Sequence, residues 1–221
     1  VFPLAVGLGA FLLFFVQPLV AKMVLPWFGG GTAVWSTCLM FFQVGLVAGY
    51  GYAHLTRRLG ATRQVWLHLA LLAAALLVLP IAPDAALKPP DGTRLVPRVL
   101  SLLTLTVGLP FVLLAATAPL LQDWFARLHP ARSPYPLYVV SNVGALAALL
   151  CYPTLVEPGM PTGRQSIAWS VLFGAFVLAV GACGLRVTRH ARGGALVSQD
   201  AGPTEARAQG AAAASAAAPD G

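Results

Sequence analysis

Six apolar runs, at residues 2–21, 32–54, 65–82, 99–121, 137–156 and 166–185, constrain this chain more than any other feature. Each is close to the roughly 20 residues an α-helix needs to cross a hydrocarbon core of about 30 Å. Lipid offers backbone N–H and C=O groups no partners, so helices, which close their own hydrogen bonds, are the expected form. A barrel is disfavoured because the runs lack strict two-residue alternation. Charged residues make up only 10% of the 221-residue chain and hydrophobic ones 58%, too little polar surface to wrap a water-soluble domain. The expected fold is an all-α integral membrane protein in contact with the lipid bilayer, a six-transmembrane-helix bundle over residues 1–185.

The basic residues sit at the ends of these runs and set a direction. Arg57, Arg58, Arg63, Arg127, Arg132, Arg186, Arg189, Arg192 and Arg207 fall on one side, nine in all. Lys22, Lys88, Arg94, Arg98 and Arg164 fall on the other, five in all. The positive-inside rule then puts both termini in the cytoplasm, and the expected location is the plasma (inner) membrane of a bacterium. The net charge of +7 is not clustered with aromatic residues, so no nucleic-acid partner is expected. No basic n-region or small-residue cleavage site accompanies the first run, which reads as a span and not as a signal peptide. Residues 186–221 carry no apolar periodicity and finish in an Ala/Ser/Pro/Gly stretch, so a disordered cytoplasmic tail is expected there.

Chemistry-bearing constellations are not apparent. Cys38, Cys151 and Cys183 lie singly inside apolar runs and read as small packing residues. The four histidines and seven acids show no metal-ligand spacing, and His68, inside the third run, reads as a packing residue. No nucleophile–base set or carboxylate pair appears, so no catalytic residue, metal or cofactor is expected.

Polar residues within the spans are costly in lipid and therefore mark either helix packing or a solute path. Both readings apply to Gln17-Pro18, where proline deprives the Phe14 carbonyl of its helical donor. Lys22, one turn on, can snorkel to the interface. Gly29–Gly31 permit a tight turn, with Thr32 as the expected cap of the second helix, which carries Trp35, Gln43 and the pair Gly45/Gly49. In the fifth run Tyr138, Asn142, Ala145, Leu149 and Tyr152 follow at spacings of four, three, four and three, one face of a helix. Glu157 closes that run at the same side of the membrane as Lys22, and the two are expected to pair.

Three blocks, "FVQPLVAKMVLPWFGGGTAVWSTCLMFFQVGLVAGYGYAH", "LPFVLLAATAPLLQDWFA" and "LYVVSNVGALAALLCYPTLVEP", resemble the N-terminal membrane region of fused MFS/spermidine synthase proteins, over about 11–185. The resemblance implies a bundle like one half of a major facilitator, built as two three-helix repeats. It also implies a soluble aminopropyltransferase domain as a partner, although that domain's glycine-rich nucleotide turn and carboxylates have no counterpart in this sequence. "GYAHLTRRLGATR" resembles a facilitator loop with Gly51, Arg57, Arg58, Gly60 and Arg63, without the usual acidic residue. The expected function is a non-catalytic membrane module that anchors such a protein or forms half of a small-molecule path. The alternative is a homo-oligomeric carrier of a small solute or polyamine, with an aminopropyltransferase in its own right a weaker one. A second copy, or a partner membrane chain, is implied because a lone half cannot enclose a midplane site.

Overall fold

The computed structural model describes residues 1–83 and 95–200, with side chains to residue 193. Residues 84–94, with Lys88 and Arg94, and residues 201–221 of the expected tail lie outside the described residues. Among the described residues, six helices are long and apolar enough to cross a membrane. They are α1 (Phe2–Phe28), α2 (Thr32–Leu59), α3 (Ala61–Val78), α4 (Leu95–Leu128), α5 (Tyr135–Gly159) and α6 (Thr162–Asp200). No strand occurs among the described residues.

Five of the helices outrun the apolar runs that predict them, because backbone hydrogen bonding continues where hydropathy stops. α3 (Ala61–Val78) instead starts and ends four residues before the expected 65–82. α1 passes through Pro18 and Pro26 and ends only at Phe28, where Gly29 takes φ 79°, a conformation that favours glycine. Gly31, and not Thr32, is the cap residue of α2, and Thr32 is already helical. α6 continues to Asp200, so residues 186–200 are helix where the sequence pattern predicts the start of a disordered tail.

Two helices form the centre. In α1 and α4, 61% of the most apolar window is buried, against 33%, 28% and 33% in α2, α3 and α6 and only 11% in α5. α1 packs on α5, α6 and α4; α4 packs on α2, α6 and α3; α3 packs on α6. Exchanging α1–α3 with α4–α6 carries the α1–α5 contact onto α4–α2, α1–α6 onto α4–α3, and α3–α6 onto itself. The exchange is approximate, since the α4–α6 and α1–α2 contacts have no counterpart of similar size.

Small residues make the closest crossings possible. A Cβ on Gly49 of α2 would lie 2.6 Å from the Ala115 Cβ and 2.7 Å from the Val112 carbonyl oxygen of α4. Gly45 is pressed against Phe111 in the same way, so the Gly45/Gly49 pair forms the α2–α4 contact. At the equivalent α5–α1 crossing, a Cβ on Gly144 would run into the backbone of Gly7.

Polar ties complete the core. Trp169 Nε1 donates to the Leu12 carbonyl at 3.0 Å, Ser166 Oγ to the Ile81 carbonyl, and Trp124 Nε1 to Gln64 Oε1 at 2.9 Å. Gln64 in turn donates to Thr56 Oγ1 at 3.4 Å. Inside a bilayer such groups have no water to fall back on, so each pairing also fixes helix rotation.

Candidate functional site: a groove between α2 and α5

With α1 and α4 as floor, α2 and α5 stand apart as walls of a groove that runs the depth of the bundle. Three cavities occupy it. The first, of about 340 Å³, lies at the Lys22 end among Phe14, Gln17, Trp35, Phe42, Tyr152 and Glu157. The middle one, of about 410 Å³, is lined by Phe14, Tyr50, Thr117, Gln122, Tyr138 and Asn142 among others. The third, also about 410 Å³, lies at the opposite end among Tyr50, His54, Arg57, Pro119, Gln122 and Asp123. Phe14 borders the first two, and Tyr50, Pro119 and Gln122 border the last two, so the cavities form one track.

The fifth-run stripe lies along this track throughout. Tyr138, Asn142 and Ala145 line the middle cavity, and Leu149 and Tyr152 line the first. Glu157 joins them through a feature that spacing does not reveal. Residues Tyr152–Val156 form a π-helical turn, with the Glu157 N–H bonded to the Tyr152 carbonyl. In an α-helix, at 3.6 residues per turn, residues five apart diverge by about 140°. The π turn stacks them instead, which returns Glu157 to the groove face. Only Pro153, which cannot donate an N–H, hints in the sequence that this stretch departs from α geometry.

Glu157 meets its expected partner. Lys22 Nζ lies 3.2 Å from Glu157 Oε1, tying the end of α1 to the end of α5. The side chains are 36% and 46% exposed, so the pair is worth at most about 1 kcal/mol. Lys22 approaches from a neighbouring cavity lined by Met23, Pro26, Pro80 and Ser166, and not from within the groove. Gln17 keeps its amide in its own turn, donating from Nε2 to the Leu13 carbonyl at 3.3 Å. Trp35 lies across the same cavity on α2, one turn before Cys38 and Leu39 and two before Phe42.

Gln43 does not belong to the site. It follows Phe42 by one residue, about 100° around the helix, and lies exposed on the outer face of α2, outside all three cavities. The cluster of Gln17, Gln43, Asn142 and Tyr138 expected from the sequence is therefore split. Gln17 belongs to the first cavity and Tyr138 and Asn142 to the middle one.

Sequence reasoning misses the charged end. Asp123 of α4 accepts hydrogen bonds from Arg57 at 3.0 Å and from Arg127 at 2.8 Å. Arg57, near the end of α2, is thus paired with an acid from α4. The four-residue spacing of Asp123 and Arg127 is visible in the sequence, whereas the Arg57 contact requires the fold. His68, a packing residue by its sequence context, is fully buried, with Nε2 2.9 Å from Thr117 Oγ1. Thr117 donates to the Leu113 carbonyl at 2.6 Å, so the histidine nitrogen is the donor of that pair.

No protein-family model, curated protein or solved structure matches the chain.

Proposed function

We propose that this chain is a non-catalytic membrane module of the transporter-like/spermidine synthase-like type, and that its groove is one wall of a small-molecule path. The observation that carries the reading is the row of three cavities from Glu157 to Asp123 between α2 and α5. The partial exchange symmetry of the helix contacts, with α1 and α4 at the centre, supports the pair of inverted three-helix repeats expected of one facilitator half. The three sequence blocks that resemble the fused family fall on the elements that build the groove. The concentration of basic residues at the Arg57 end supports a topology with that end and both termini in the cytoplasm of a bacterial cell.

An open polar track cannot face hydrocarbon unaided, because the Tyr138 hydroxyl and the Asn142 amide would find no hydrogen-bond partner there. A second six-helix unit closes it, supplied by another copy or by a partner membrane chain. Cysteines placed at Val44 and Leu146, on the exposed faces of the two walls, test the first arrangement. In a chain whose native cysteines are changed to Ala, disulfide-linked dimers are the expected product. Transport is tested by spermidine uptake into proteoliposomes, and Asn142→Leu is expected to reduce the rate about tenfold, the equivalent of one lost hydrogen bond. Uptake that Asn142→Leu leaves unaltered would remove the groove from the path. The purified chain is expected to show no aminopropyl transfer, and detecting it would overturn the reading.

A further inference from the structure

The first cavity has a chemistry of its own, separate from Asn142 and the middle of the groove. Its lining includes the part-exposed rings of Phe14 and Trp35 and the buried rings of Phe42 and Tyr152, beside one carboxylate, Glu157. From these residues we infer that this cavity binds a small methylated ammonium ion, with the rings holding the cationic head and Glu157 balancing its charge. The inference concerns binding at this end of the groove and does not depend on whether the chain transports anything.

The donor set favours this class over other cations. Aromatic faces attract a cation through the ring quadrupole, and quaternary ammonium groups are the ligands such boxes suit best. A primary ammonium carries three N–H donors that need acceptors, and a polyamine needs several separated anions. This cavity has one carboxylate, and its remaining lining is mostly ring and aliphatic surface.

Lys22 then acquires a role. It holds Oε1 of Glu157 from outside the cavity, and the other carboxylate oxygen has no ion-pair partner among the described residues. The lysine therefore weakens the field that the ligand senses without blocking its place. Since the pair is largely solvent-exposed, its geometry is easily given up. Removing the lysine charge should tighten ammonium binding, whereas a purely structural strut would make the same change loosen it.

The test is equilibrium binding of tritiated choline to the full chain in phosphatidylglycerol nanodiscs, with the uncharged isostere dimethylbutanol as competitor. Choline is expected to bind, with dimethylbutanol at least about tenfold weaker. Glu157→Gln is expected to weaken choline about tenfold and Trp35→Leu several-fold, while Lys22→Gln strengthens it about threefold. Thermal melts of each variant identify any loss of binding that is due to unfolding, and Trp35→Leu, at a half-exposed position, keeps the test open if Glu157→Gln unfolds. Phosphatidylcholine added to the disc displaces choline if the site takes a lipid headgroup and leaves it bound if it takes a free solute. No choline binding, equal binding of dimethylbutanol, or weaker binding in Lys22→Gln would each overturn the inference.

Discussion

α1 and α5 are matched in hydropathy and opposed in environment. Their mean hydropathies, 2.2 and 1.8, both suit a membrane span, yet 61% of one window is buried and 11% of the other. In water, the more apolar face seeks the core; in lipid that gradient vanishes, and packing shape decides which helix is central. α1 is central because its residues fit closely on several sides. Phe176 presses on Gly9, the α5 backbone at Gly144 presses on Gly7, and Trp169 donates to the Leu12 carbonyl. α5 touches the bundle mainly along its Gly144 face and leaves Tyr138, Val143, Leu146 and Leu155 exposed.

The contrast can be broken at the glycine. Gly144→Leu should push α5 off α1, and overpacking of this kind costs about 3 kcal/mol or more where backbone meets backbone. Leu146→Ala, two residues away on the exposed face, should change stability by less than about 0.5 kcal/mol. Denaturant unfolding in detergent measures both, and equal effects would mean that the crossing is not what holds α5.

A smaller effect is expected inside the core. Gln64→Leu leaves the Trp124 N–H without its acceptor and should cost about 1–3 kcal/mol. The same unfolding measurement applies, and a change near zero would show that Trp124 finds another partner. The tie between the two helices themselves should matter less. Lys22→Gln should cost no more than about 1 kcal/mol, and raising salt should lower wild-type stability towards that of the variant. A loss well beyond that would make the Lys22–Glu157 pair a principal support of the α1–α5 contact. The weakest effect on folding belongs to the open wall, where Asn142→Leu should leave unfolding within about 0.5 kcal/mol of wild type while lowering uptake.

Much of this architecture is legible in the amino-acid sequence. Six spans follow from hydropathy because lipid enforces helix, and the Gly45/Gly49 spacing predicts a close crossing that Ala115 and Val112 of α4 complete. The Lys22–Glu157 pair follows from placing both residues at one side of the membrane. The stripe from Tyr138 to Tyr152 is readable because α-helical spacing holds along it. What cannot be read is whatever depends on helix rotation or on distant pairing. Gln43 and Phe42 are neighbours in sequence and face different surroundings, and nothing in apolar flanks marks which way each points. The Arg57–Asp123 contact joins residues 66 positions apart.

The π turn at Tyr152–Val156 makes the far end of α5 a matter of phase as well as position. The turn absorbs one residue more than an α-helix holds in the same rise, so the helix keeps its phase on either side. Deleting that residue leaves Tyr152 and Glu157 four apart, about 40° around an α-helix, and still on one face. Relaxation to α geometry with every residue kept is what would carry Glu157 to about 140° from Tyr152 and away from the groove. The charged mouth of the groove thus depends on the bulge itself, and a one-residue deletion spares it.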